Sequence, residues 1–276
     1  MTAPRLQYYD FGEGVTAFST TRQGGYSLGS YGEFNINRYC GDSEEAIRQN
    51  RALLCQVLGI EDRCLLMPHQ VHLTEMAVVD EDFLRLSSDE VQQRMEGVDA
   101  VMTNVSGVCI GVSTADCIPV LLYDGKHRAS CAIHAGWRGT VKRIVEKAVA
   151  KMAEVYGSRP EDLMAQIGPG IHLESFEVGD EVFEAFAQEG FQMEAISRKY
   201  PVAGISADGS VMKKWHIDLP MCNRQQLLAA GLPDEQIAAI AELIADTAGD
   251  RKNLPPLFEG GIHCYKSAAL GPGLYH

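Results

Sequence analysis

This 276-residue chain contains no stretch approaching the roughly 20 uninterrupted apolar residues that a membrane-spanning helix requires. Its first ten residues lack the basic start and apolar run of an export signal, so a cytoplasmic protein is expected. Positive charge is in deficit: 24 basic residues stand against 37 acidic ones, a net charge of −13. A field of that sign repels phosphate backbones and anionic membranes, which removes nucleic acid and membrane surfaces from the expected partners. No low-complexity tract, charge block, Pro/Ser-rich linker or internal repeat divides the chain. One domain over residues 1–276 is the simplest organisation, with 46% hydrophobic content to fill its core. A chain of this size needs no disulfide scaffold, and the eight cysteines are scattered, so they read as thiols.

What is present is a mixture of strand and helix patterns. Residues 15–21 read as a strand followed by a glycine-bordered loop at Gly24, Gly25 and Gly29. Asp42 with Glu45 three positions later suggests a capping box for a helix ending at Gly59, with Ile47, Leu54, Val57 and Leu58 on one face. Short β-rich runs fill the middle third, at 74–79, 100–103, 108–113, 118–123 and 129–134. Val141, Ile144, Val145, Ala148, Val149, Met152 and Val155 then recur at helical spacing, predicting one amphipathic helix over 140–156. A strand at 164–167 leads into Gly168-Pro169-Gly170, and further helices are expected over 181–188, 223–230 and 234–245. The fold class is α/β, with α+β open because periodicity does not choose between them.

The chemistry-bearing residues cluster at strand ends. His72 precedes one strand, Asp116 and Cys117 lie between two, and His134 closes another just before Gly136-Trp137-Arg138-Gly139. Two histidines and a cysteine satisfy a catalytic zinc site, which uses three protein ligands and leaves a fourth position open. Spacings of 45 and 17 residues form no local knuckle, so only the folded sheet could bring the three together. On residue chemistry alone the plainer reading prevails: Cys117 as a core thiol, His134 as a histidine bonded to a carbonyl and His72 as an exposed loop residue. The Gly136 turn with Arg138 at a helix start suits an anion, although it matches neither the phosphate loop nor GxGxxG. Arg51 on the first helix and Asn35 in the glycine-bordered loop are further polar candidates, each with a purely structural alternative.

Taken together the motifs resemble the YfiH family, bacterial relatives of the animal laccase-domain protein FAMIN. The matching elements are Phe18-Ser19-Thr20 with Gly24-Gly25, Asn50-Arg51, the run from His69 to His72, and Val98-Asp99-Ala100. The run from Thr114 to Pro119, the run from His134 to Gly139 and the run from Ile167 to Gly170 complete the series. The resemblance implies a single α/β domain with mixed sheets flanked by helices, and a zinc held by His72, Cys117 and His134. It further implies a purine nucleoside phosphorylase acting on adenosine, inosine and methylthioadenosine, with adenosine deaminase activity. Nucleoside and phosphate are then the partners of a monomer or homodimer. Arg51 matches the family's substrate-side arginine, and Arg138, Asn35 and the Gly136 turn are the other expected substrate or phosphate contacts.

Zinc acidifies a water toward a pKa of about 7, which suits attack at C6 of adenine. The H-x-E and P-C-x-x-C motifs of other zinc nucleobase deaminases are missing, so Asp116 is expected to carry the proton. The C-terminal segment departs from the family: Tyr265 is kept, while Lys266 and Ser267 stand where relatives carry arginines, removing a bidentate fork. Two other readings compete. A copper-dependent polyphenol oxidase is disfavoured by only eight histidines with no His-x-His pair. A metal-free cysteine hydrolase or amidase would use Cys117 as nucleophile and His134 as base.

Overall fold

A computed structural model describes residues 3–205, 211–239 and 261–267. The chain begins with strands β1 (Leu6–Tyr9) and β2 (Val15–Thr20), an antiparallel pair. Helix α1 (Glu44–Leu58) follows; the Ser43 hydroxyl accepts the Ala46 N–H, Glu44 and Glu45 complement the helix dipole, and Gly59 ends it in the left-handed conformation at φ 63°. The expected cap at Asp42 therefore moves one residue on, because the Asp42 carboxylate is taken up by the Ser27 hydroxyl and the Asn35 amide. Val57 also leaves the expected face and is 43% exposed; Ile47, Arg51, Leu54 and Leu58 form the buried one.

Five strands come next: β3 (Leu65–Leu66), β4 (Met76–Val79), β5 (Ala100–Thr103), β6 (Cys109–Thr114) and β7 (Ile118–Asp124), with short helix α2 (Ser88–Arg94) between β4 and β5. After β8 (Ala129–Ala135) the single long helix expected over 140–156 is two pieces, α3 (Trp137–Val141) and α4 (Ile144–Tyr156). Arg143 breaks them, at φ 62°, held by Glu146, the Glu189 carbonyl and the Phe191 ring. These anchors outweigh a helical periodicity that runs straight through the junction. The remainder comprises β9 (Leu163–Ile167), β10 (Glu177–Val178), α5 (Asp180–Gln188), α6 (Met193–Ile196), β11 (Ser197–Ile205), β12 (Val211–Ile217), α7 (Leu219–Ala229), β13 (Ile237–Ala239) and β14 (Gly261–Ser267). The helix expected over 234–245 is instead one 3-10 turn, Asp234–Gln236, and then β13, which pairs in parallel with β9; residues 240–245 lie outside the described residues.

Two mixed sheets carry the fold, in the orders β1-β2-β14-β6-β3 and β13-β9-β7-β8-β5-β4, with β10, β12 and β11 forming a small third sheet. The arrangement is α/β with helices flanking mixed sheets, as the family resemblance implies. Strand alternation builds the layers. On β7, Ile118, Val120 and Leu122 face α4 and α7, whereas Leu121 and Tyr123 face the other sheet, so every residue of the strand is buried. The core between the sheets gathers Val101, Ile110, Val112, Leu121 and Ala132. Helix α1 covers the outer face of the five-stranded sheet through Phe18, Leu54, Leu58 and Cys109.

Leu121→Ala should lower the unfolding free energy by about 2–5 kcal/mol through the cavity it leaves between the sheets, read as a fall in the urea midpoint at unchanged slope.

Candidate metal centre

Chain crossings between the two large sheets create the site. Strand β6 belongs to one sheet and β7 to the other, and the three residues between them, Ala115, Asp116 and Cys117, form the turn that carries the chain across. Gly170 presses on that turn: a Cβ there would lie 2.9 Å from the Cys117 carbonyl and 3.0 Å from that of Asp116, which accepts the Ile171 N–H at 2.8 Å. The Gly168-Pro169-Gly170 turn thus packs, through Gly170, against the segment that carries Asp116 and Cys117. His134 lies near the end of β8, one residue from the chain's exit into the Gly136 turn. His72 sits in the loop before β4 with a left-handed backbone, φ 64°. Gln70 ties this loop to β6, its amide donating to the Ser113 carbonyl and accepting the Ser113 N–H at 2.7 and 2.8 Å.

The fold brings together the three expected ligands. The ligand atoms of His72, Cys117 and His134 all lie within 4.8 Å of one another, and the two imidazoles meet edge to face at 4.7 Å between centroids. Zinc bonds of about 2.0–2.3 Å need only a small contraction of that triangle. Gly136 closes one side: a Cβ at that position would come within 2.9 Å of His72 Cδ2 and 3.0 Å of Cys117 Sγ. Gly139 likewise lets α3 approach, since its Cβ would meet the Leu73 carbonyl at 2.9 Å.

Asp99, a residue the sequence reading left without a role, lies fully buried beneath the triad. Its Oδ1 accepts the His72 N–H at 2.9 Å and the His134 ring at Nδ1 at 2.7 Å; its Oδ2 accepts the N–H groups of Leu73 at 2.8 Å and Val71 at 3.3 Å. Burial raises its pKa, but the bonds from His134, Leu73 and His72 outweigh that and hold the carboxyl below its ordinary range. An ionised carboxylate can only accept, so the His134 proton sits on Nδ1 and the Nε2 lone pair is left for a metal. Burial, with the neighbouring His134 ring adding to it, lowers the His72 pKa from its ordinary value, which favours the neutral ring. Burial, with Asp116 and Asp99 adding, pushes the Cys117 thiol up to about 11.

The triad opens on a cavity of about 520 Å³, also lined by Arg22, Tyr31, Asn35, Tyr39, His69, Gln70, Thr114 and Asp116. Asp116 is the one acidic side chain and Arg22 the one arginine or lysine among the described lining residues. Neither Arg22 nor the stacked Tyr39–His69 pair, 4.2 Å between ring centroids and tied to Glu96 through His69, was singled out from the sequence. Asn35 reaches the cavity, but its amide is engaged with Cys40, Asp42 and the Asn37 N–H, so its position is that of a loop brace.

The expected arginines lie elsewhere. Arg51 is buried and lines a neighbouring cleft of about 630 Å³ with Arg38, Arg63 and Arg85; it pairs with Asp62 at 2.7 Å and donates to the Leu65 carbonyl. Arg138 stacks on Trp137 at 4.3 Å and is not among the lining residues. The helix behind the Gly136 turn has only five residues, too short for the dipole that the unbroken helix would have given an anion. Tyr265, Lys266 and Ser267 lie on β14, whose backbone pairs with β2 and β6; the segment after Ser267 lies outside the described residues.

Residues 16–252 match the family described as multi-copper polyphenol oxidoreductase laccase. The chain is 45% identical over 223 residues to a purine nucleoside phosphorylase of Bacteroides thetaiotaomicron, covering 81% of this chain and 79% of that protein. It is 40% identical over 235 residues to adenosine deaminase RL5 from an unknown prokaryotic organism, covering 84% and 86%. The crystal structure of the YfiH protein of Bacillus licheniformis shares the fold, with a TM-score of 0.81 over 97% of each chain at 24% identity.

Because burial keeps the Cys117 thiol protonated at neutral pH, zinc binding at this site should displace the thiol proton. Its association constant is expected to rise about tenfold per pH unit between pH 7 and 9, with the rise ending as pH passes the thiol pKa, measured by competition with a chromogenic chelator. Gly136→Ala should weaken zinc binding at least tenfold while the circular dichroism spectrum is kept.

Proposed function

From the membership of this chain in the multi-copper polyphenol oxidoreductase laccase family, we propose that it is a zinc-dependent purine nucleoside phosphorylase with adenosine deaminase activity. The observation that carries the reading is the convergence of His72, Cys117 and His134 on the wall of a cavity large enough for a nucleoside. Similarity to relatives named for both activities supports it. The family description names copper, yet two imidazoles and one thiolate suit zinc. A blue-copper site would also want an axial methionine, and none is among the described lining residues. Among those residues there is also one such ligand group, where a multicopper cluster needs several.

A zinc ion held by these three side chains would supply Lewis-acid polarisation and an acidified water for attack at C6 of adenine. Asp116, beside Cys117 at the cavity surface, is the carboxylate placed to take and return the proton that deamination moves. For phosphorolysis, a phosphate oxygen must reach C1′ as the base departs, and a fixed cation lowers the cost of bringing that anion in. Arg22, held by the Ser30 carbonyl at 2.7 Å on the cavity wall, supports that role, with Arg51 in the adjoining cleft that shares Asn37, Tyr39 and Pro68 with the cavity. Tyr31 and the Tyr39–His69 pair offer aromatic surface against which a purine can pack.

Zinc-loaded protein given adenosine is expected to yield inosine, and with phosphate adenine and ribose 1-phosphate, separated by chromatography. Cys117→Ser should lose bound zinc and at least a hundredfold in turnover of both reactions. Unchanged adenosine with the metal-loaded enzyme, or full turnover by Cys117→Ser, overturns the assignment.

A further inference from the structure

We propose that Asp99 is the positioning residue of the metal centre, one carboxylate that fixes the ring tautomer of His134 and the left-handed backbone of His72 together. The inference rests on the metal reading given above and concerns how two of the three ligands are held before any ion arrives.

The donor inventory around Asp99 has no slack. Each carboxylate oxygen accepts two N–H groups, Oδ1 from His72 and His134 Nδ1, Oδ2 from Leu73 and Val71. The Asp99 backbone joins in, its carbonyl accepting the His134 N–H at 2.8 Å. The three loop donors are consecutive, and such a run of amides converges on one anion only when the middle residue takes an unusual conformation, here His72 at φ 64°. Among the described residues, His72 is one of three non-glycine residues with positive φ, and it is the one that is also a ligand. The carboxylate therefore compensates the strain that aims the His72 ring at the site.

A neutral amide of the same size, as in Asp99→Asn, cannot reproduce this. If the amide turned its oxygen toward His72 and His134, its NH₂ would face the N–H groups of Leu73 and Val71, and the loop would lose its anchor. If it turned the NH₂ toward His134, the ring would have to accept at Nδ1, which moves the proton to Nε2 and blocks the atom that faces the triad. Either orientation disables one of the two histidines.

The test compares wild type, Asp99→Asn and, as a structural control, Leu121→Ala. Zinc titration of wild type comes first, and failure to bind overturns the metal assignment and this proposal with it. Given wild-type binding, Asp99→Asn is expected to weaken zinc affinity ten- to a hundredfold, whereas Leu121→Ala stays within twofold. Nitrogen-15 spectra of the metal-free proteins at pH 8 should show His134 protonated at Nδ1 in wild type and Leu121→Ala. Should Asp99→Asn fail to fold, the wild-type spectrum and slow exchange of the His72 and Leu73 amides still decide. An Nε2-protonated His134 in wild type, or affinity within twofold in Asp99→Asn, overturns the proposal while leaving the metal assignment standing.

Discussion

A carboxylate that water does not reach must have its charge balanced by donors within the protein, and any donor so recruited is fixed in place. Asp99 is fully buried, and the donors it recruits belong to the loop that carries His72 and to the ring of His134. A left-handed non-glycine residue costs about 1–2 kcal/mol, while a hydrogen bond to a charged group contributes about 1.5–3 kcal/mol. Two short bonds from His72 and Leu73 are therefore enough to hold the loop against its strain. The stable geometry of a buried anion and the binding geometry of a metal ligand are here the same geometry, so the site is assembled by folding.

The sheet arrangement decides where that assembly can occur. A chain passing from β6 to β7 leaves one sheet and enters the other, so the turn at Asp116 and Cys117 has to sit where the two sheets open onto solvent. His134 reaches the same edge because β8 pairs with β7 in a register that sets His134 opposite Pro119, two residues beyond Cys117. His72 arrives from the loop that Gln70 attaches to Ser113 on β6. Close approach of these segments needs backbone without side chains at their contacts, which is the common reason for Gly136, Gly139 and Gly170.

Legibility in the sequence followed how local the determining interaction is. The strands at β5, β7 and β8 and the stop at Gly59 are local patterns, and they are found close to where the sequence puts them. The break at Arg143 depends on Glu189 and Phe191, some 46 and 48 residues away, so a periodicity that continued through it was misleading. The triad itself was visible as residue types at strand ends and as a family resemblance, while its convergence depended on sheet order. Asp99 lay in plain view at the start of a strand, but an aspartate there is also an ordinary turn residue. Only its four donors distinguish it, and they come from positions 26 to 35 residues away. Arg51 lies on the buried face of its helix, where Asp62 and the Leu65 carbonyl, 11 and 14 residues away, hold its guanidinium in the cleft that adjoins the triad cavity, an arrangement that no local pattern announces.

The ionisation of Cys117 decides between its two possible chemistries. A cysteine nucleophile needs a thiolate at working pH, which proteins secure by placing cationic groups or a helix N-terminus beside the sulfur. Around Cys117 the field runs the other way: burial disfavours the charge, and Asp116 and Asp99 add negative potential, pushing the thiol up to about 11. A divalent cation reverses every one of these terms at once. Bound by these residues it would displace the thiol proton and be attracted by both carboxylates that oppose a free thiolate, with His134 free to offer the ring nitrogen that Asp99 does not engage. The surroundings that make Cys117 a poor nucleophile are those that make the three side chains a good cation site.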